Sequence, residues 1–239
     1  MKAIEKSVVE KALAVVKKHE RLLPPARLIF GLDLTGSREA GLKQARIATA
    51  AMFDTIRSIG RVELKLVHYR GTDEFNESQW SGDAAVLRDI MLNLSCQYGS
   101  TQIGRLLERV LAEPERIAGV VFIGDHNEED PYRLMEMAKM LGRKSIPLFI
   151  FHEYDRQDRY SFIAQALFLR MAEASGGVYV PFNLKSASAL REILAGVAAF
   201  SIAGIRGVER LALPVSGEAR QLHRNLRLML GPGVTPVKR

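Results

Sequence analysis

"ARLIFGLDLTGS", residues 26–37, joins an apolar run to a polar turn. Leu28, Ile29 and Phe30 form a short, bounded apolar stretch, as in a strand covered on both faces. Directly after it come Asp33, Thr35 and Ser37, one carboxylate and two hydroxyls on alternate residues. In an extended chain every second side chain faces the same way, so the three can aim at one point. Gly36 lets the turn tighten between two of them. A helix cap or an Asx-turn uses the same residue types. So does a site for Mg²⁺, which takes oxygen ligands.

Working outward, strands and helices alternate. "VELKLVHYRG" (62–71), "IAGVVFIGD" (117–125), "PLFIFHEY" (147–154) and "VYVPF" (178–182) read as strands. Residues 73–82 are mixed, and Phe75 to Trp80 suit a short edge strand or a hairpin arm. Helical spacing marks 2–20, 41–60, 83–94 with Asp83 as cap, a helix from about Gln102, and one with Pro131 in its first turn. A further helix is closed by Gly176 and Gly177, and a last one spans 186–204. Such alternation predicts an α/β class fold: Rossmann-like, doubly wound, three layers α/β/α, with a mostly parallel central sheet and one short antiparallel edge strand. Three parts are expected: an N-terminal amphipathic helix and linker (1–25), the α/β domain (26–204), and a basic tail (205–239) with a possible short helix at 218–230.

Composition bounds the function class. The 239 residues are 47% hydrophobic and 26% charged, which is ordinary for a globular chain. The net charge of +7 is concentrated: residues 205–239 hold seven basic and two acidic side chains. The basic balance therefore describes a tail and not a nucleic-acid surface. Cys96 is the single cysteine, which excludes an internal disulfide and fits a reducing compartment. No apolar run has the length of a membrane span, and the N-terminus lacks a signal-peptide layout. The expectation is a cytoplasmic protein with no membrane or nucleic-acid partner.

In an open α/β sheet, ligands bind beyond the carboxyl ends of the strands. Three polar loops fall there: "DLTGS" (33–37), "YGST" (98–101) and "GDHNEED" (124–130). Together they offer Asp33, Asp125, Thr35, Ser37 and Thr101, an oxygen-only set that suits Mg²⁺ or Mn²⁺ better than zinc. Each loop alone has a structural reading, and Thr101 in particular is a good N-cap for the helix that follows.

In this order "DLTGS", "GST" and "IGD" resemble the three parts of the metal-ion-dependent adhesion site of von Willebrand factor A (VWA) domains. The resemblance implies that Asp33, Thr35 and Ser37 match the first motif, Thr101 the second and Asp125 the third. Thr35 stands where the family has serine, and Gly124 and His126 flank Asp125 where it often has Thr and Gly. The resemblance covers roughly 26–204. It implies binding and not catalysis: a Mg²⁺ or Mn²⁺ ion (Ca²⁺ being possible) with one coordination position left for a partner's Asp or Glu. Gly36, Ser100 and His126 would form the surrounding rim. The implied role is an adaptor in a multiprotein assembly, of the kind that docks onto AAA+ ATPases or serves stress responses.

Competing readings are weaker on residues. A haloacid-dehalogenase-type phosphohydrolase needs a second aspartate where Thr35 stands. No Walker A sequence, no Gly-x-Gly-x-x-Gly after the first strand and no nucleophile elbow is present. His126 could approach Ser37, yet its neighbour Asp125 is better used on a metal. His68 and His152 read as structural histidines, His19 and His223 as solvent-facing. Packing accounts for Phe75 and Trp80, although a Trp80 exposed at the rim would be a contact anchor. A metal-independent scaffold remains the alternative function.

Overall fold

The computed structural model describes residues 25–36 and 61–182, with residues 192, 195–197, 199, 200 and 220. The expected helices at 2–20 and 41–60, the tail and Ser37 lie outside the described residues.

Among the described residues, six strands form one sheet: β1 (Ala26–Asp33), β2 (Val62–Arg70), β3 (Glu74–Glu77), β4 (Gly119–Gly124), β5 (Leu148–Glu153) and β6 (Tyr179–Phe182). Their order is β3-β2-β1-β4-β5-β6. All neighbours pair in parallel except β3, which lies antiparallel on β2 at the edge. Among the described residues, the helices with defined bounds are α1 (Ala84–Leu92), α2 (Ile103–Leu111), α3 (Pro131–Arg143) and α4 (Arg159–Ser175). Sheet class, parallel pairing and the antiparallel edge agree with the expected doubly wound α/β fold.

Alternation along β1 sorts the core into two layers. Leu28, Phe30 and Leu32 pack with Leu87 and Met91 of α1 and with Val197, one of the described helical residues of the 186–204 stretch. Ile29 points the other way, into a layer with Leu106 and Leu107 of α2, Leu134 of α3 and Phe168 of α4. On this second face α2 packs so closely that a Cβ at Gly31 would stand 2.3 Å from Leu106 Cδ2.

Local chemistry sets most helix starts. Asp83, Asp130 and Asp158 each accept a hydrogen bond from the backbone N–H two residues on, and Pro131 occupies the first turn of α3. α4 ends on Gly176 with φ +74°, a left-handed conformation that glycine adopts without a Cβ penalty. α2 differs. Its N-cap Gln102 makes no side-chain cap, and the amides of Ile103 and Gly104 are taken by Glu129 and not by Thr101.

The edge hairpin settles Trp80. Ser81 bridges Leu64, near the start of β2, which puts Trp80 toward the amino ends of the parallel strands and away from the candidate loops. Its ring lies under the Arg27 guanidinium at 5.3 Å and the Lys65 ammonium at 5.0 Å. Lys65 is itself buried and paired with Glu113 at 2.5 Å. Packing, and not a rim contact, is the role the structure gives Trp80.

Candidate functional site

β1 is the topological switch point. The chain leaves it for β2 on one side, and β4 sits on the other. A crevice opens there beyond the carboxyl ends of the strands. Leu32 pairs with Ile123 across β1 and β4, so Asp33 stands beside Gly124, with Asp125 one residue further. The two aspartates share one end of adjacent strands.

Asp33 is 1% exposed. Its Oδ1 accepts the Thr35 N–H at 2.8 Å and the Thr35 hydroxyl at 2.7 Å. That is an Asx-turn, so the structural reading of "DLT" is realised. It does not use up Thr35: a hydroxyl that donates its proton keeps lone pairs to offer a cation. Asp33 Oδ2 accepts the Tyr69 hydroxyl at 3.1 Å. Tyr69 is wholly buried, and its pKa is pushed well above the usual tyrosine value, by burial first and then by the charge of Asp33.

The second loop is stitched to the first. Gln97 donates its N–H to Leu34 O at 3.0 Å, and Gly71 donates to Gln97 O at 3.2 Å. Gly99 passes so close to the β2–β3 turn that a Cβ on it would lie 1.8 Å from Gly71 O. This fixes Thr101, which is 6% exposed, at the same rim.

The third loop holds Thr101 from the other side. Glu128 donates its N–H to Thr101 Oγ1 at 3.0 Å, and Glu128 Oε2 accepts the Thr101 N–H at 3.2 Å. Glu129 replaces the missing cap of α2, its carboxylate accepting the N–H groups of Ile103 at 2.5 Å and Gly104 at 2.9 Å. Burial raises the Glu129 pKa against the pull of those amides. Ser100 is exposed, and the bonds that orient Thr101 come from Glu128 and Glu129.

Asp125 is 8% exposed and its Oδ1 is buried without a hydrogen-bond partner. Orphaned buried carboxylate oxygens are costly, and a bound cation is one way to satisfy them. The Asp125 backbone carbonyl faces His152 Nε2 at 2.8 Å, while His152 Nδ1 meets the Tyr179 hydroxyl at 2.8 Å. His152 is therefore the structural histidine expected, fixing the loop backbone. His126 Nε2 lies 2.5 Å from Asp158 Oδ2, which ties the third loop to the cap of α4.

A cavity of about 300 Å³ opens at this rim, lined by Thr35, Gly36, Tyr98, Thr101, His126 and Glu128. Among the described residues, then, Asp33, Thr35, Thr101 and Asp125 meet at one sheet edge, with Gly36 and His126 at its mouth. No trio of His, Cys, Asp or Glu side chains gathers anywhere among them as a metal cluster of the nitrogen, sulfur or all-carboxylate kind. The donor set is two carboxylates and hydroxyls, which matches a hard cation. Sequence reasoning missed Tyr69, Glu128, Glu129 and Asp158. The acidic density of "GDHNEED" was the available signal for the glutamates, since a helix start without its own cap invites a carboxylate from elsewhere.

No protein-family model matches the chain, and no curated protein matches it. Solved structures do. An aerotolerance-related membrane protein from Bacteroides fragilis superposes with a TM-score of 0.54 at 14% identity, over 78% of this chain and 100% of that one. A von Willebrand factor type A protein from Catenulispora acidiphila gives 0.55 at 17% identity, over 73% of this chain and 43% of that one. Proximal thread matrix protein 1 from the mussel byssus, with a zinc-occupied MIDAS motif, gives 0.54 at 15% identity, over 74% and 46%. The chain thus spans less than half the length of the second and third. The likeness is one of fold, a VWA-like α/β arrangement. No helix among the described residues is long and apolar enough to cross a membrane.

Proposed function

We propose that this chain is a metal-dependent protein-interaction module. Asp33, Thr35, Ser37, Thr101 and Asp125 would hold one divalent cation, Mg²⁺ or Mn²⁺, with Ca²⁺ as a third candidate. The observation that carries the reading is the unpartnered, buried Asp125 Oδ1 beside Asp33 at the switch point. A cation held by neutral hydroxyls keeps electrophilic character and can accept a partner's carboxylate. The chain's own part is to hold the donors still. Tyr69 and Thr35 fix the Asp33 carboxylate, Glu128 fixes Thr101, and His152 fixes the backbone of Asp125. The zinc-occupied motif of the mussel protein supports a divalent ion in this fold.

Binding is favoured over catalysis because the buried histidine near the site is engaged on a backbone carbonyl and a tyrosine. The role that fits is an adaptor in a cytoplasmic assembly, with an AAA+ ATPase or a stress-response complex as the kind of machine served. One observation favours the scaffold alternative: both Asp33 oxygens accept hydrogen bonds from within the chain. The test is thermal stability of wild type and Asp33→Ala with Mg²⁺ or Mn²⁺, before and after EDTA. A rise in wild type alone supports the module. A rise in neither supports the scaffold.

A further inference from the structure

Helix α4 is buried on one side only. Ala164, Phe168 and Met171 face the core. The opposite side carries Phe162 at 62% exposed, Ile163 at 55% and Leu169 at 42%. Arg159, Ala166, Arg170 and Glu173 are exposed among and beyond them. Single exposed apolar residues are ordinary, but three on one stripe of one helix form a patch that wants a cover. No ion pair among the described residues uses Arg159, Arg170 or Glu173.

The stripe is its own complement. At about 100° per residue, all six side chains lie within about 60° of Ala166 around the helix. A second copy of α4, laid antiparallel about a two-fold axis through Ala166, brings together residues equally far before and after that alanine. Ile163 then meets Leu169 of the second copy, apolar against apolar. Phe162 meets Arg170, a ring against a guanidinium. Arg159 meets Glu173, cation against carboxylate. Symmetry makes each contact twice. Ala166 meets itself at the crossing, where a small side chain lets two helices approach to the near end of the usual range of about 8–10 Å. A parallel pair would set Arg159 by Arg159 and Glu173 by Glu173, so the charges select the antiparallel one.

We propose that this face of α4 is a homodimer surface, on which two copies of the chain meet about a two-fold axis at Ala166. None of the six residues around Ala166 lines the cavity at the rim. Tyr160, in the first turn of α4, packs edge-on against His126 at 6.2 Å, so the surface begins beside the third loop. Dimerisation needs no metal. One helix pair is small beside the roughly 1,600 Å² of a standard interface, so the dimer is weak and concentration-dependent.

The test is sedimentation equilibrium of the full chain in EDTA, from about 1 μM to about 1 mM. Wild type should pass from monomer to dimer. Ile163→Glu sets a carboxylate against Leu169 twice and should raise the dimer Kd at least about a hundredfold. Arg159→Glu alone and Glu173→Arg alone should each raise it about tenfold, because two attractive pairs become repulsive. Mixed in equal amounts, those two variants should associate as tightly as wild type, since each supplies the charge the other has lost. All three positions are exposed, so the dilute variants should melt as wild type does. A wild type that stays monomeric overturns the proposal and leaves the stripe to another segment of the chain or to a different protein. A dimer that survives Ile163→Glu overturns it too, since it must use another surface. So does a mixture that associates no better than its components.

Discussion

Tyr69 shows what one buried hydroxyl does for the site. It reaches Asp33 Oδ2 at 3.1 Å from a position with no solvent access. Tyr69→Phe keeps the ring's packing and leaves a buried carboxylate oxygen without that donor. It should cost about 1–3 kcal/mol of unfolding free energy in urea titrations. Asp33 and Thr35 were legible in the sequence because the alternation that aims them is local. Tyr69 was not, because its partnership depends on the register Asp33↔Tyr69 between two strands far apart in the chain. The place of Thr101 at the rim was legible, but its structural alternative as an N-cap was not realised. The cap comes from Glu129, 25 residues from Gly104.

Glycines at the rim separate element packing from surface contact. At Gly99 an added Cβ meets the Gly71 backbone at 1.8 Å, and neither segment can yield without breaking the bond from Gly71 N–H to Gln97 O. Gly99→Ala should destabilise by about 2–3 kcal/mol, the range of overpacked sites, read as a lower melting temperature. At Gly36 the obstacle is the exposed Tyr98 ring, which can swing aside, so Gly36→Ala should cost under about 1 kcal/mol in the same assay. Strand β6 carries a pH prediction. Burial pushes the Tyr179 hydroxyl up to about 12. A phenol whose folded pKa is raised stabilises fully below its unfolded value of about 10, and that contribution fades as pH rises toward 12. The urea midpoint should fall between about pH 9 and pH 11.5, and less steeply in Tyr179→Phe. The elements were readable because apolar runs of strand length alternate with capped helical patterns. That Phe75 and Trp80 pack was readable; which end of the sheet each occupies was not, since only the pairing of β3 and Ser81 with β2 shows it.

At the scale of the molecule, a six-stranded switch-point sheet brings three distant loops to one edge, and the fold supplies the gathering that no single motif can. Global stability should therefore report on the site. One-site linkage gives about 2.7 kcal/mol at a hundredfold excess of ion over Kd, or roughly 5–10 °C in melting temperature for a domain of this size. The most direct measurement is calorimetric titration of Mn²⁺ into metal-stripped protein, wild type against Asp125→Ala. The account predicts one ion per chain in wild type and none in the variant. Equal binding by both proteins, or none by either, would contradict it.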